Sequence, residues 1–193
     1  AGGVSRETLA RLETLATLIR KWTRKINLVS PSTVDQIWSR HILDSAQVAA
    51  HAAISAPKWA DLGSGGGLPG LVIAALRTEE DATLITTLIE SDQRKCAFLA
   101  TAAREMDVRV HVRPHRIEAL TDQTYDTVSA RALAPLEKLL ELATPLVAKT
   151  GRMLFLKGAN AEAELTLARK AWHMDVVARP SHTDPSATLL DVR

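Results

Sequence analysis

The sequence predicts a doubly wound α/β fold, in which helices cover both faces of a mostly parallel sheet. From residue 58 onward, short apolar or β-branched runs alternate with amphipathic stretches, which is typical of parallel strands joined by right-handed crossovers. Four of the five residues from Gly63 to Gly67 are glycine, and they follow the first apolar run. In an open α/β sheet, the loop after a strand is the usual place for a ligand.

Residues 1–55 are predicted to form an N-terminal helical extension, and residues 56–193 a single domain that packs with it into one unit. Apolar residues recur at helical spacing over residues 5–22, with Ser5 available as an N-cap. A second helical region begins near Pro31, because proline suits the first turn of a helix, and extends through residue 53. The first strand signal comes at Trp59.

The domain is predicted to contain seven strands. They cover residues 59–63, 82–91, 108–113, 125–132, 152–158, 173–179 and 187–193. Helices are predicted over residues 68–77, 92–106, 135–150 and 160–172, with a short helical turn at 116–120. Gly151 is predicted to cap the third of these helices. No helical pattern separates the last two strands, so we expect them to form a hairpin at one edge of the sheet.

The composition favours a cytoplasmic protein, and we expect a monomer. With 193 residues, of which 46% are hydrophobic, the chain can bury the core of one domain. No apolar run reaches the ~18 residues of a membrane span, and the first residues do not resemble a secretory signal. The single cysteine, Cys96, excludes an internal disulfide bond and a cysteine-rich zinc site, and we assign no metal.

The glycine loop suits a nucleotide-containing cofactor. Residues 65–70 match G-x-G-x-x-G, which is typical of dinucleotide sites. Glu90 closes the second predicted strand, where an acid accepts hydrogen bonds from the ribose of either NAD or S-adenosylmethionine. Asp61 favours S-adenosylmethionine, because a carboxylate repels a diphosphate and attracts a cationic amino acid group. Asp61 and Gly65 are therefore predicted to contact this cofactor, with a nicotinamide-dependent oxidoreductase as the alternative.

Seven motifs are spread through most of the chain: INLVS at 26–30, RHILDS at 40–45, DLGSGGGLPG at 61–70, IESDQRKCAFL at 89–99, HRIEAL at 115–120, VSARALAPL at 128–136 and GRMLFLKG at 151–158. Their combination resembles the small-subunit ribosomal RNA guanine-N7 methyltransferases, also called the glucose-inhibited division protein B family. The resemblance implies a Rossmann-like class I S-adenosylmethionine-dependent methyltransferase with a seven-stranded sheet. It also implies that the acceptor is a guanine in the 530 loop of 16S rRNA.

The resemblance assigns residues to the cofactor. Glu90 matches the acid that binds the ribose, and Ile117 and Glu118 match the pair that borders the adenine. The positions that match the cofactor site of the family are Gly63, Leu68, Glu90, Ile117, Glu118 and Arg131.

A second set of residues is predicted to contact RNA. Arg131 ends the fourth predicted strand, where its guanidinium suits the cofactor carboxylate or guanine O6 and a phosphate. Lys157 ends the fifth strand and suits a phosphate. Arg40 and His41 are expected over the cleft, although His41 also fits an apolar helix face. Asn27 suits either a base or the cap of a turn.

The chemistry of guanine N7 assigns no catalytic residue. The nitrogen is already nucleophilic and loses no proton, so alignment and electrostatics are sufficient for its methylation. Cys96 lies in a predicted amphipathic helix, which favours packing over reactivity. We expect the partner to be 16S rRNA, within the small ribosomal subunit. A non-catalytic RNA-binding module with a methyltransferase fold is a further alternative.

Overall fold

A seven-stranded sheet of order β3-β2-β1-β4-β5-β7-β6 forms the centre of the structure, a computed structural model that describes residues 3–51 and 56–193. Its strands are β1 (Trp59–Leu62), β2 (Thr86–Ile89), β3 (Val110–Arg113), β4 (Tyr125–Arg131), β5 (Val147–Lys157), β6 (Val176–Pro180) and β7 (Thr188–Val192). Strands β1 to β5 pair in parallel, and β7 is antiparallel to both β5 and β6. The predicted doubly wound sheet and the edge hairpin are confirmed, and the order in which successive strands are added to the sheet reverses between β1 and β4.

Helices pack on both faces of this sheet. They are α1 (Arg6–Thr23), α2 (Leu43–Ala49), α3 (Gly70–Glu80), α4 (Gln93–Glu105), α5 (Leu136–Ala143) and α6 (Ala161–Ala168). One apolar cluster joins α1, α3 and α4, and another joins α5 and α6 to the sheet. Trp22 at the end of α1 packs edge-to-face on Phe98 of α4, with ring centroids 5.5 Å apart. The N-terminal helix therefore shares a core with the domain that follows it.

The second helical region is built from three kinds of helix. Pro31–Gln36 is a 3₁₀ helix, Trp38–Ile42 is a π-helix, and α2 follows directly. The N–H of Leu43 donates to the carbonyl oxygen of Trp38, five residues earlier. A π-turn shifts the side chains that follow it, and such turns are frequent at functional sites. Residues 52–53 of the predicted region, and the predicted boundary at residue 55, lie outside the described residues.

The predicted helix over residues 135–150 is too long. Helix α5 ends at Ala143, and a 3₁₀ turn over Thr144–Leu146 follows, because Pro145 cannot continue an α-helix. The prediction that Gly151 caps a helix is wrong, since Gly151 lies inside β5. A β-bulge lies here, and a Cβ atom at Gly151 would come within 3.0 Å of the Asp126 carbonyl oxygen. Glycine is therefore required by the sheet rather than by a helix end.

The predicted strand over residues 82–91 is also too long, because β2 contains only Thr86–Ile89. Asp81 starts a turn before it: its carboxylate accepts hydrogen bonds from the Thr83 N–H at 2.8 Å and the Thr83 hydroxyl at 2.7 Å. A local side-chain bond of this kind competes with strand pairing. In the part of the chain that the structure describes, no helix is long and apolar enough to cross a membrane.

Candidate cofactor and RNA site

Two cavities lie side by side where the parallel strands end. The first, here called the glycine-loop cavity, has a volume of about 270 Å³ and is lined by Gly63, Glu90 and Glu118, among others. The second, here called the arginine cavity, has a volume of about 420 Å³ and is lined by Arg131 and other charged residues. Ala132 lines both and has a φ of 51°, which is unusual for a residue other than glycine.

The glycine loop needs glycine at its turns. Gly63, Gly65 and Gly67 have φ values of 62°, 51° and 78°. The N–H of Gly67 donates to the carbonyl oxygen of Ser64 at 2.7 Å, which closes a tight turn before α3. A Cβ atom at Gly65 would meet its nearest heavy atom, the Gly63 carbonyl oxygen, at 3.7 Å. There is therefore open space beside Gly65, and a positive φ is what favours glycine there.

Glu90 holds the glycine loop from the adjacent strand. One oxygen of its carboxylate accepts the Gly65 N–H at 2.9 Å, and the other accepts the Asp92 N–H at 2.8 Å. A carboxylate oxygen has two lone pairs, so each can accept a further hydrogen bond from a ligand. Glu90 therefore both shapes the loop and faces the glycine-loop cavity.

The other predicted cofactor residues differ in exposure. Glu118 is exposed and Ile117 is buried in the core, and both line the glycine-loop cavity in the 3₁₀ turn after β3. Leu68 is buried in the apolar cluster shared by α1, α3 and α4. The Leu68 side chain therefore stabilises the helix layer, and Leu68 lines neither of the two cavities.

Asp61 is completely buried at the end of β1. Its carboxylate accepts the Ser129 hydroxyl at 2.8 Å and the Gly70 N–H at 3.2 Å, and so connects β1 to β4 and to the start of α3. Burial is the main cause that raises the pKa of Asp61 to about 7. The indole N–H of Trp59 donates to the same Ser129 oxygen at 3.1 Å. The structure thus gives Asp61 a clear role in organising the strand ends.

Arg131 meets three acceptors from the N-terminal extension. Its guanidinium donates to an Asp44 carboxylate oxygen at 3.1 Å, to the Arg40 carbonyl oxygen at 3.3 Å and to Nδ1 of His41. Burial and the charge of Arg131 lower the pKa of His41 to about 4, so its imidazole is neutral at pH 7. Because arginine only donates, Nδ1 is the acceptor and Nε2 carries the proton. Nε2 then donates to the Thr33 hydroxyl oxygen at 2.8 Å.

The remaining candidates are placed differently. Lys157 lines the arginine cavity, but its ammonium group pairs with Glu164 at 2.7 Å. Arg40 is an exposed member of the same cavity, at 3.1 Å from an Asp184 oxygen. Arg40, His41, Arg131 and Lys157 are thus brought together. Asn27 is exposed and lies apart from this group. The next residue, Leu28, covers Gly66: a Cβ atom at Gly66 would lie 3.2 Å from the Leu28 carbonyl oxygen.

Comparison with known proteins identifies the family. The family model described as "GidB: rRNA small subunit methyltransferase G" matches residues 8–186. A protein of Cereibacter sphaeroides named ribosomal RNA small subunit methyltransferase G is 51% identical over 190 residues, with 98% of this chain and 91% of that protein covered. A protein of the same name from Gluconobacter oxydans is 50% identical, with coverages of 98% and 95%. The chain belongs to this family.

Solved structures of other methyltransferases share the fold of this rRNA small subunit methyltransferase G family member. The magnesium protoporphyrin IX methyltransferase of Synechocystis, solved with bound S-adenosylmethionine, superposes with a TM-score of 0.64 at 15% identity and covers 100% of this chain and 98% of its own. A methyltransferase from Geobacter sulfurreducens gives 0.64 at 14% identity, with coverages of 100% and 92%. The predicted class I methyltransferase fold is confirmed. Family membership confirms that the chain is an S-adenosylmethionine-dependent enzyme that methylates small-subunit rRNA.

The glycine-loop cavity fits S-adenosylmethionine. Glu90 offers unshared lone pairs to a ribose, and the space beside Gly65 leaves the backbone accessible. Cys96 is buried under this region, and burial raises the pKa of its thiol, which disfavours a nucleophilic role. Across residues 3–51 and 56–193, the structure contains no group of three or more His, Cys, Asp or Glu side chains placed to hold a metal ion.

Sequence reasoning missed the partners of Arg131. Asp44 lies within RHILDS, and its second carboxylate oxygen accepts the hydroxyl groups of Ser181 and Thr183, both at 3.0 Å. Asp44 and Ser181 are separated by 137 residues. The motif places Asp44 next to Arg40 and His41 in the sequence, but nothing local indicates that a loop between β6 and β7 reaches the same carboxylate.

Proposed function

We propose that this enzyme transfers a methyl group to N7 of a guanine in the 530 loop of 16S rRNA. The observation that carries the proposal is the pair of cavities that meet at Ala132. One has the glycine loop and the carboxylate that suit the cofactor. The other has three cationic side chains, each paired with a carboxylate of the same cavity, and the N–H groups that these pairs leave unused suit a nucleotide. A base that enters the arginine cavity would lie next to a cofactor in the glycine-loop cavity.

Alignment by the protein is sufficient for the proposed reaction. When bound, S-adenosylmethionine supplies an activated methyl group on a sulfonium ion. Glu90 orients the ribose and keeps the glycine loop in shape, while Glu118 and Ile117 border the adenine. Arg131 presents N–H donors of fixed direction, which suit guanine O6 and a neighbouring phosphate and leave the lone pair of N7 free to attack. No side chain has to remove a proton, because N7 carries an in-plane lone pair.

A basic surface supports RNA as the substrate. The end of α1 carries a cluster that is partly or fully exposed and forms no ion pair within the described residues: Arg20, Lys21, Arg24 and Lys25. Asn27 lies two residues after Lys25, in the segment that covers the glycine loop. Exposed cations bind the phosphates of a folded RNA without sequence preference. We propose that the enzyme acts as a monomer, in the cytoplasm, on RNA assembled into the small subunit.

The test is methyl transfer from labelled S-adenosylmethionine to small ribosomal subunits from a strain that lacks this activity. Naked 16S rRNA serves as the parallel substrate, and the product is digested to nucleosides and analysed by mass spectrometry. We expect 7-methylguanosine within a 530-loop fragment, formed faster on subunits than on naked RNA. A label on another nucleoside would overturn the proposed acceptor, and faster transfer to naked RNA would overturn the assembled subunit as substrate.

A further inference from the structure

Asp44 is the centre of a buried polar network that joins three distant parts of the chain. Asp44 lies in α2 and is 9% exposed. One oxygen accepts from Arg131 at the end of β4. The other accepts from Gln47 at 2.6 Å and from the hydroxyl groups of Ser181 and Thr183. A carboxylate that accepts from four donors and has little water around it is held in a fixed position.

The same network fixes the direction of the Arg131 guanidinium. Its side chain is 16% exposed, and three of its five N–H groups donate to Asp44, Arg40 and His41. A guanidinium is planar and rigid, so acceptors on both terminal nitrogens fix the plane of the whole group. Among the described residues, two N–H groups have no acceptor. Those two are the donors that remain for a substrate in the arginine cavity.

His41 accepts a hydrogen bond from Arg131 and does not compete with Arg131 for an ion pair with Asp44. The groups that face its ring are Arg131, Asp44, Arg40 and the Thr33 hydroxyl. Because the imidazole is neutral, Asp44 has a single cationic partner in direct contact, which is Arg131. The charge of Asp44 is therefore directed at the guanidinium rather than shared with an imidazolium ion.

We propose that Asp44 is a positioning residue for methyl transfer, which holds the Arg131 guanidinium in the orientation that receives the guanine nucleotide. The loop of residues 181–187 sets the position of Asp44 through two hydroxyl groups, and so takes part in the same alignment. The proposal rests on the proposed role of Arg131. It assigns Asp44 no contact with the substrate: the carboxylate acts through Arg131 alone.

The first test observes the guanidinium directly by NMR of ¹⁵N-arginine-labelled protein, with Arg131→Lys used to assign the signals. We expect slow rotation of the Arg131 guanidinium in the wild type, seen as separate Nη resonances, and averaged resonances in Asp44→Asn. Rapid rotation in the wild type would overturn the proposal even if Asp44→Asn fails to fold. Slow rotation that persists in a folded Asp44→Asn variant would also overturn it.

The second test is a double-mutant cycle on methyl transfer. Asp44→Asn should lower kcat/KM for ribosomal subunits by about 100-fold, because displacing a positioned donor by about 1 Å can lower the rate by that factor. The same substitution should change the rate less than about twofold in an Arg131→Ala background. The matched control is Asp107→Asn, which removes the charge of a fully exposed aspartate paired with Arg11 at 3.9 Å.

Three results separate the outcomes. Equal losses for Asp44→Asn with and without Arg131 would overturn positioning and leave Asp44 as a structural tie to residues 181–187. Absence of methyl transfer by the wild type, together with slow guanidinium rotation, would overturn the proposed substrate while supporting the Asp44 contact. We expect Asp44→Asn to bind S-adenosylhomocysteine with the affinity of the wild type. A loss of that affinity would contradict the proposal that Asp44 acts through Arg131 on the RNA substrate.

Discussion

The two cavities on either side of Ala132 are built in different ways. The glycine-loop cavity is organised by bonds between side chains and nearby backbone, such as Glu90 to Asp92 over 2 residues and Glu90 to Gly65 over 25. The arginine cavity is organised by side chains that meet across 87 residues, for Arg131 and Asp44, and across 139, for Thr183 and Asp44. The first site is therefore formed by the sheet with its own loops and helices, and the second exists only once the sheet and the extension are packed together.

This difference has an energetic consequence. The glycine loop is stabilised by backbone conformation, so a single substitution there changes the loop without removing a charge pair. The arginine cavity contains a partly desolvated ion pair, and the loss of one partner leaves the other charge without compensation. Substitutions in the two cavities should therefore be separable, the first by cofactor affinity and the second by RNA-dependent rate.

The largest expected effect is that of Arg131→Ala. The kcat/KM for ribosomal subunits should fall by about 100- to 1,000-fold, which is the cost of removing one preorganised donor from an active site. Affinity for S-adenosylhomocysteine, measured by titration calorimetry, should change little, since Arg131 lines the arginine cavity. A large loss of that affinity with a normal rate at saturation would instead place Arg131 on the cofactor side.

Gly65→Val should lower the affinity for S-adenosylhomocysteine by about 100-fold with the fold retained, as measured by calorimetry and circular dichroism. The φ of 51° is strained for a β-branched residue, and the side chain would enter the open space beside the loop. Gly65→Ala is the comparison, because it adds strain with little volume and should cost about tenfold. Equal affinities for wild type and Gly65→Val would show that this space does not hold the cofactor.

Glu90→Gln should weaken S-adenosylhomocysteine binding by about tenfold, because the amide keeps one acceptor and places an NH₂ group against a backbone N–H. The Gly65 and Asp92 N–H groups cannot both be satisfied in this variant. The same titration gives the result, with Glu118→Gln as the exposed comparison on the same cavity. A smaller loss for Glu90→Gln than for Glu118→Gln would contradict the assignment of the ribose to Glu90.

A further prediction concerns stability rather than binding or rate, and it is a pH dependence carried by Asp61, whose pKa is raised to about 7. The folded state keeps its proton up to pH 7, while the unfolded state loses it near pH 4. This stabilisation is complete below about pH 4 and is lost as the pH rises through 7, so the unfolding temperature should fall over that range. Asp61→Asn should flatten the curve.

The same carboxylate tests the position of the cofactor. If the cationic amino acid group of S-adenosylmethionine lies near Asp61, binding favours the ionised form, and affinity should rise by up to about tenfold per unit of pH below 7. Calorimetry between pH 5.5 and 8 gives the slope, and Asp61→Asn gives the background. A slope that is equal in wild type and Asp61→Asn would leave Asp61 as a capping residue of α3 alone.

Much of the cofactor side could be predicted from the sequence. The glycines after β1 and the acid after β2 have fixed places in a doubly wound sheet, so Gly63 and Glu90 line one cavity, and the Gly65 N–H donates to Glu90 beside it. The same reasoning did not show that Asp61 is completely buried or that the Leu68 side chain packs among the helices. Burial depends on which surfaces meet, and the residues that cover these two come from α1, α3 and β4.

The sequence by itself determined the order of strands and helices along the chain, the glycine turn, the family and the cationic residues that line the arginine cavity. These follow from hydrophobic periodicity, from backbone conformations that only glycine adopts easily, and from motifs confined to a few adjacent positions. Only the tertiary structure decided that Asp44 and His41 hold Arg131, and that Lys157 is paired with Glu164. Hydrogen bonds and ion pairs between distant residues depend on distances of a few tenths of an ångström, and such distances are set by how the helices and the sheet pack together.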